Sequence, residues 1–429
     1  MLDTVRRDYT GIDGRTPSPT PFLDEMAAKG TVFTDVWANG PWTVPSHASI
    51  FSGLLPSRHR CTGYDYRFHS VGPTFAELLC EAGYEAVAFY SNPWLTDGLT
   101  GMLRGFEQHC VKPVGRPDIF NRGDQGGPRT VENVKSWLNG RDRSRPFLLF
   151  ANFLEPHLPY DPTDAYRREH LTELPPDEVF ETERALAFNA RVVSPESIDF
   201  ARAARLYAGD VHSADHYMGE LIRMVTDHAG DEETIFILTS DHGENIGDHG
   251  YMDHQFGVFG TLIEVPLVVS APGRLPAGTR DDPVMLSDLY DTILDFAGVE
   301  DGPVTPHSRS LLEPPAHPDR PLIAEYTGAT AALLGALTKL NPGLDTTRVE
   351  LAFSKVRSGA WEYTIASDGD EALYNVESDP ARESNVAASH PEITSLMLEL
   401  MPIVSSVAGE ELEVDEEMRE WLRSLGYVQ

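Results

Sequence analysis

A threonine stands two residues before a proline within residues 41–53, where a helix is expected to begin. Proline suits the first helical turn because its missing N–H would be unpaired there in any case. Thr43 then lies at or beside the N-cap, where free N–H groups and the helix dipole favour negative charge. The position suits an oxyanion, a phosphate or a sulfate, although an ordinary helix cap would give the same pattern.

Two further clusters supply what a hydroxyl nucleophile would need. Asp3 lies near the amino terminus, and residues 234–240 predict a buried strand that runs directly into Asp241 and His242. Open α/β sheets build their sites at the carboxyl ends of strands. Two carboxylates and an imidazole can hold a hard or borderline divalent cation, which would lower the pKa of a coordinated hydroxyl. Taken singly, each acidic residue could equally be a cap or a solvated turn residue.

The chain resembles a sulfatase of the alkaline phosphatase superfamily over nearly its whole length. The matching segments occur in the order that this family has, and the ordered set is far more specific than any single segment. They are residues 2–6, 20–24, 30–34, 41–56, 155–160, 240–244, 247–250, 373–375, 379–380 and 425–427.

The resemblance implies a metal site and a nucleophile. Asp3, Asp241 and His242 would bind one divalent metal ion, together with the hydroxyl of Thr43, which stands at the nucleophile position. Family habit implies Ca²⁺, while the histidine ligand would also suit Mn²⁺, Mg²⁺ or Zn²⁺. His47 stands where sulfatases carry an arginine beside the nucleophile.

Three further residues acquire roles from the same resemblance. His157 would contact the substrate or protonate the leaving group, since histidine titrates near neutral pH. His254 stands where many relatives place a lysine that touches the sulfate or phosphate. Together with His47 it would donate to the equatorial oxygens, as in an oxyanion hole. Asn92, after a predicted strand at residues 86–90, is a weaker candidate for substrate binding.

The nucleophile segment departs from the sulfatase pattern. Sulfatases use a Cys or Ser that is oxidised to formylglycine, followed at fixed spacing by Pro and Arg, whereas this chain has Thr43, Pro45 and His47. A secondary alcohol cannot become that aldehyde, and a threonyl sulfate must be released by water rather than by elimination. Threonyl phosphate is a workable intermediate in related phosphatases and phosphotransferases, so the chemistry favours phosphoryl transfer while the overall pattern favours sulfatases.

Three classes of function therefore remain open at this stage. The first is a metal-dependent sulfatase-like hydrolase of sulfate or phosphate esters, on a small molecule or a glycan. The second is a transferase that moves a phosphoryl-bearing group through Thr43 to a glycan or lipid headgroup. The third is a non-catalytic relative that binds an anionic glycan, which the Thr43 and His47 replacements favour and the retained metal ligands oppose.

A second metal ion is not expected from the sequence. Four residues that could bind such an ion lie within a predicted amphipathic helix at residues 207–221. These residues are interpreted as structural because sulfatases have a similar helix without a metal role; they are Asp210, His212, Asp215 and His216.

Alternating apolar and helical segments predict the fold class. Strands are expected at residues 85–90, 146–153, 234–240 and 265–270, and helices at 75–82 and 131–138. This alternation predicts an α/β fold with a mostly parallel central sheet flanked by helices. We expect a catalytic domain over residues 1–320 with a helical insertion at about 160–201. A C-terminal subdomain over 321–429 should contain a small antiparallel sheet, with strands at 352–356 and 361–365 and helices at 391–403 and 415–425.

The charge composition bears on partners and on habitat. The chain has 34 basic and 67 acidic residues, a net charge of −33, and only five lysines. An acidic surface poor in lysine is typical of proteins that work in high salt, where screening weakens self-repulsion. The same charge argues against nucleic acid as a partner, whereas a bound metal and local histidines would still admit an anionic substrate.

Three cysteines without metal-ligand spacing, and the lack of any apolar run of membrane-spanning length, predict a reduced, cytoplasmic protein without an integral membrane segment. Only two residues precede Asp3, fewer than the five or six of a typical strand. We therefore expect that the natural chain carries residues upstream of Met1. The oligomeric state is not predicted.

Overall fold

The computed structural model describes residues 1–63, 65–68, 72–111, 125–230, 234–300, 302–303 and 305–402, together with the single positions 418, 420 and 422. The predicted helix at 415–425 lies outside these residues except for those three positions. Among the described helices, none has both the length and the apolar composition that crossing a bilayer requires.

Fifteen strands are present in the described part of the chain. They are β1 (Thr31–Phe33), β2 (Val36–Trp37), β3 (Glu85–Tyr90), β4 (Glu107–Cys110), β5 (Phe147–Asn152), β6 (Phe236–Thr239), β7 (Asn245–Ile246), β8 (Met252–Asp253), β9 (Leu267–Ser270), β10 (Gly278–Arg280), β11 (Val284–Met285), β12 (Leu322–Tyr326), β13 (Phe353–Ser358), β14 (Trp361–Ala366) and β15 (Glu371–Asn375).

The α-helices of the same residues number fourteen. They are α1 (Pro21–Ala27), α2 (Thr43–Ser52), α3 (Pro56–His59), α4 (Phe75–Glu81), α5 (Asp97–Thr100), α6 (Gly127–Gly140), α7 (Asp164–His170), α8 (Thr182–Asn189), α9 (Phe200–Ala229), α10 (Gly260–Ile263), α11 (Asp288–Ala297), α12 (Ala331–Leu340), α13 (Thr347–Glu350) and α14 (Pro391–Glu399).

The central sheet is mostly parallel, as the sequence predicts. Strand β3 pairs in parallel with β4 on one side and β5 on the other. Leu2 pairs in parallel with both Phe153 and Ser240, the residues that follow β5 and β6, and so joins these two strands into one sheet. Beyond β6 come β9, β1 and β10. The predicted strand at 265–270 is present as β9, but it runs antiparallel to both of its neighbours.

Helices cover both faces of this sheet, and each face has its own apolar core. On one face Phe51 of α2, Phe75 of α4 and Leu289 of α11 pack against the sheet. On the other face the core contains Val134 of α6 and Val211 of α9. Strands of a sheet that is buried on both faces have continuous apolar sequences, and for this reason β3 and β9 could be predicted from the sequence.

Strands β5 and β6 are longer than the short segment at residues 1–3 that pairs between them. The amide of Asp3 donates to the carbonyl of Phe153 and that of Leu2 to the carbonyl of Thr239, so the width of this one segment separates the two strands. A cavity of about 880 Å³ opens alongside, lined by residues of both strands that include Leu148, Leu149 and Ile237. These side chains are only partly buried although they belong to the middle of the sheet.

The C-terminal region forms the predicted antiparallel sheet, with the order β12-β13-β14-β15. Its strands β13 and β14 coincide closely with the two predicted strands, and α14 covers most of the predicted helix at 391–403. The domain boundary at residue 320 stays a prediction. The predicted insertion at 160–201 contains α7 and α8, separated by irregular segments.

Two of the four residues of α9 that were considered as ligands of a second metal ion accept hydrogen bonds from the backbone. Both carboxylate oxygens of Asp215 accept backbone N–H groups at the start of α1, from Phe22 and Leu23, at 2.8 Å each. Asp210 accepts the backbone N–H of Asp161 at 2.9 Å. Capping free helix N–H groups with a carboxylate is a familiar structural use of aspartate, and it agrees with the structural interpretation of these residues.

Candidate active site

Asp3 lies at the carboxyl edge of the central sheet, directly after the short segment between β5 and β6. Its Oδ2 accepts two amide hydrogen bonds, from Asn92 Nδ2 at 2.8 Å and from Asn152 Nδ2 at 3.1 Å. Asn92 follows β3 and Asn152 ends β5, so the neighbouring parallel strands deliver both amides to one edge. Oδ1 of Asp3 is buried and has no hydrogen-bond partner among the described residues.

The end of β6 contributes Asp241 and His242. Oδ1 of Asp241 accepts the backbone N–H groups of Thr4 at 3.2 Å and His242 at 3.0 Å. Its carbonyl accepts the hydroxyl of Ser46 at 2.6 Å, which fixes the strand end to α2. Oδ2 accepts no hydrogen bond from the described residues, and it lies 3.3 Å from Nε2 of His242.

The imidazole of His242 is oriented by its own backbone neighbour. Nδ1 lies 2.9 Å from the carbonyl oxygen of Gly243, so the network assigns the ring proton to Nδ1 and leaves the lone pair of Nε2 facing Asp241 and Thr43. This turn requires glycine at 243, because a Cβ there would lie 2.0 Å from the carbonyl oxygen of Thr261.

Thr43 is the first residue of α2, and Trp42 is its N-cap. Oγ1 of Thr43 lies 3.1 Å from Nδ2 of Asn92 and 3.4 Å from Nε2 of His242. The hydroxyl is therefore at the free N–H end of the helix, as the sequence predicts, and next to the proposed metal ligands. Thr43, Asn92 and His242 are all fully buried.

His47 lies one turn further along α2 and faces back towards Asp241. Its Nδ1 lies 3.0 Å from the carbonyl oxygen of Thr43 and 3.4 Å from Oδ2 of Asp241. Burial lowers the pKa of His47 to about 4, so the ring is neutral at pH 7. Its predicted contact with the ester oxygens stays a prediction, whereas its contacts with Thr43 and Asp241 are present.

Three histidine rings form one wall of the site. The ring of His254 lies 4.5 Å from that of His242 and 5.1 Å from that of His157, measured between centroids. Nδ1 of His254 lies 2.9 Å from Oδ1 of Asp253 and 3.4 Å from Oε1 of Glu244. Nδ1 of His157 lies 2.8 Å from the carbonyl oxygen of Leu158.

Burial dominates the electrostatics of this group. Burial, and then the charge of Asp3, raises the pKa of Asp241 well above its ordinary value. Burial lowers the pKa of His242 well below its ordinary value and raises the pKa of Glu244 to about 7. Burial also opposes a charge on His254, but Asp253 and Glu244 outweigh it and raise the pKa of this histidine well above its ordinary value.

The donor set of Asp3, Asp241 and His242 fits a divalent cation. One ligand atom from each of the three lies within 4.8 Å of the others, and all three residues are fully buried. Two oxygens of this group, Oδ1 of Asp3 and Oδ2 of Asp241, accept no hydrogen bond within the described part of the chain. Buried charges without partners are costly, and a cation between them would remove that cost.

The structure thus brings together all the residues that the sequence singled out, from five separate segments of the chain. Sequence reasoning missed Asn152, Glu244 and Asp253. Asp253 directly precedes His254, and Glu244 follows His242 by two residues; this closeness to residues with predicted roles was the available signal. No signal in the sequence indicated a role for Asn152, because its neighbours are those of an ordinary strand end.

Comparison with known proteins matches the chain to one protein family. The family model described as "Sulfatase" matches residues 1–299. An arylsulfatase of Clostridium perfringens is 27% identical over 358 residues, covering 70% of this chain and 74% of that protein. A choline-sulfatase of Rhizobium meliloti is 25% identical over 419 residues, covering 86% of this chain and 77% of that protein.

Among solved structures, the phosphonate monoester hydrolase of Agrobacterium radiobacter superposes with a TM-score of 0.72 at 20% identity. The match covers 93% of this chain and 94% of that one. This likeness shows a shared alkaline phosphatase-like fold. Since the family model spans more than half of the sequence, the chain belongs to the sulfatase family, within the alkaline phosphatase superfamily. It is an enzyme of the sulfuric ester hydrolase type.

Proposed function

We propose that the chain is a metal-dependent hydrolase of sulfate or phosphate esters in which Thr43 is the attacking group. The single observation that carries this proposal is the convergence of Oγ1 of Thr43, Oδ2 of Asp241 and the Nε2 lone pair of His242 in one buried place. A structural helix cap would have no need of a carboxylate and an imidazole near its hydroxyl.

Asp3, Asp241, His242 and the hydroxyl of Thr43 would hold the divalent cation. When bound, the cation lowers the pKa of a coordinated hydroxyl and offsets negative charge on the transferring group. All-oxygen sites favour Ca²⁺, whereas an imidazole nitrogen among the ligands also admits Mn²⁺ or Zn²⁺. The family resemblance supports Ca²⁺, and the donor set supports Mn²⁺ equally well.

The residues of the chain have the following parts in this proposal. Oγ1 of Thr43 loses its proton to solvent and attacks the sulfur or phosphorus in line. The ester oxygen leaves with its electron pair and takes a proton from Nε2 of His157 in its protonated form. His254 donates to the equatorial oxygens. The resulting threonyl ester is then attacked by water, which releases sulfate or phosphate and restores the hydroxyl. Asn92 holds Oγ1 and Asp3 in a fixed relation throughout.

Transfer to a second alcohol is the other candidate function. Threonine as the nucleophile favours this function. A threonyl ester lacks the elimination route of a formylglycine hydrate, so it is released only when an acceptor molecule attacks it. Water as the acceptor gives hydrolysis, and a glycan or lipid hydroxyl gives transfer, so both functions share the first half of the reaction.

Hydrolysis of nitrophenyl sulfate, nitrophenyl phosphate and a nitrophenyl phosphodiester tests the proposal, each with Ca²⁺, Mn²⁺ or Mg²⁺ in high salt. The variants are Thr43→Ala, Thr43→Ser and the control Ser52→Ala, a hydroxyl on the same helix that bonds only within its own region. Turnover that is lost by about 10³-fold or more in Thr43→Ala, and retained in Thr43→Ser and in the control, supports Thr43 as nucleophile.

Unchanged turnover in Thr43→Ala would contradict the proposal. Mass spectrometry of acid-quenched protein adds a second readout, since a sulfuryl or phosphoryl group should be found on the peptide that contains Thr43. Nitrophenol release that rises with added glycerol, without a matching release of free phosphate, would assign the protein to transfer.

A further inference from the structure

A second group of metal-ligating side chains lies beside the proposed active site. Glu244, Asp253 and His254 each place one ligand atom within 4.8 Å of the other two. Glu244 and His254 are fully buried and Asp253 is 7% exposed. None of these three residues is among the proposed ligands of the first cation.

The hairpin formed by β7 and β8 brings these residues together. Asn245 pairs with Asp253 and Ile246 with Met252 in antiparallel register. The next pair towards the open end is therefore Glu244 with His254, and directly opposed residues in such a ladder have neighbouring side chains. Two adjoining pairs of one hairpin thus supply all three side chains of the group.

Glu244 is the residue that points to a ligand. The side chain is fully buried, and its Oε2 accepts no hydrogen bond from the described residues. Its other oxygen, Oε1, lies 3.4 Å from Nδ1 of His254. A buried carboxylate is normally paired with a cation or with several donors, and here its second oxygen has neither.

One imidazole has to serve two carboxylates in this group. Nδ1 of His254 is already 2.9 Å from Oδ1 of Asp253, which also accepts the backbone N–H of His254 at 2.6 Å. The same nitrogen faces both carboxylates, and its single proton can be donated to only one of them. A cation between the three side chains would satisfy both carboxylates at once.

We propose that Glu244, Asp253 and His254 form a second divalent-cation site. The mixed oxygen and nitrogen donors suit Mn²⁺ or Zn²⁺ better than Ca²⁺, which prefers oxygen ligands alone. The rings of His254 and His242 are in contact, so the second ion would lie next to the first. This goes beyond the proposed function, which requires a single ion.

Counting bound Mn²⁺ tests the site without reference to activity. The metal-stripped protein is titrated with MnCl₂ alone, and free Mn²⁺ is measured by its electron paramagnetic resonance signal. Two ions are expected for the natural sequence, one for Glu244→Gln and one for Asp3→Asn. Glu325→Gln is the matched control and should bind two ions. Glu325 is another fully buried glutamate with one unpartnered oxygen among the described residues, and it belongs to neither group of metal-ligating side chains.

A single ion in the natural sequence, or two ions in Glu244→Gln, would overturn the second site. The variant Asp253→Gly provides a second test should Glu244→Gln fold poorly, because Asp253 has a φ of 74°, in the region that favours glycine. It should also bind one ion. The ion retained by each of these variants shows that the rest of the site is folded, and Asp3→Asn reports separately on the first site.

Discussion

Oγ1 of Thr43 lies 3.4 Å from Nε2 of His242, across a sequence separation of 199 residues. The hydroxyl belongs to the start of α2 and the imidazole to the end of β6, so the contact exists only because both ends open on the same edge of the sheet. The backbone carbonyl of Gly243 holds the other ring nitrogen. Backbone contacts thus fix the relative position of the proposed nucleophile and the proposed metal ligand.

Two asparagines allow the metal and the nucleophile to be tested separately. Asn152 donates only to Asp3, whereas Asn92 donates to both Asp3 and Thr43. Asn152→Ala and Asn92→Ala should each weaken metal affinity by about 10- to 100-fold, since both orient a proposed ligand. At saturating metal, only Asn92→Ala should keep a reduced kcat. Equal kcat values for the two variants at saturation would contradict this role of Asn92.

Replacement of Asp241 should separate stability from metal binding. Burial and the neighbouring Asp3 disfavour a charge on Asp241, so Asp241→Asn replaces a carboxyl group whose ionisation is unfavourable in the metal-free protein. The metal-free variant should have a Tm equal to that of the metal-free natural sequence, or higher by about 2–4 °C. Added Mn²⁺ should raise the Tm of the natural sequence far more than that of the variant. A strongly lowered Tm in the metal-free variant would argue against charge repulsion in this pair.

Glu325 predicts a pH dependence of stability. Burial raises its pKa from 4.5 to about 7, against the hydrogen bond from the backbone N–H of Ser57 at 2.7 Å. The stability that this group contributes is fully present below pH 4.5 and is lost as the pH rises through 7, because the folded state binds the proton more tightly. Such a shift corresponds to ~3 kcal/mol.

The variant Glu325→Gln should remove this dependence. Its free energy of unfolding relative to the natural sequence is expected to rise between pH 5 and pH 8.5 by up to ~3 kcal/mol, measured by urea denaturation at each pH. Glu350→Gln, a change at an exposed glutamate, serves as the control and should show no such difference. A relative stability that falls over this interval would contradict the direction of the pKa.

The net charge of −33 predicts stabilisation by salt. Screening over ~3 Å at 1 M ionic strength weakens repulsion among surface carboxylates, so the Tm should rise by about 5 °C or more between 0.1 and 3 M KCl. Tetramethylammonium chloride at equal concentration should act similarly if screening is the cause. A Tm that falls in molar KCl would remove the basis for a halophilic origin.

The sequence by itself determined the fold class and most of the site. Asp241 and His242 follow a strand-like segment, and open α/β sheets build their sites at the carboxyl ends of strands, so their position was predictable from a local pattern. The resemblance to sulfatases then implied that Asp3 lies beside them. Thr43 was placed correctly because helix starts carry a local signature of a hydroxyl and a nearby proline. Each of these inferences depends on a few consecutive residues.

Only the tertiary structure decided what those residues touch. The amides of Asn92 and Asn152 reach Asp3 across 89 and 149 residues, and the register of β7 with β8 alone sets Glu244 opposite His254. The antiparallel direction of β9 could not be predicted either, because an apolar run does not indicate the direction of a strand in its sheet. Strand neighbours and register depend on packing of the whole sheet, and no local window of sequence carries that information.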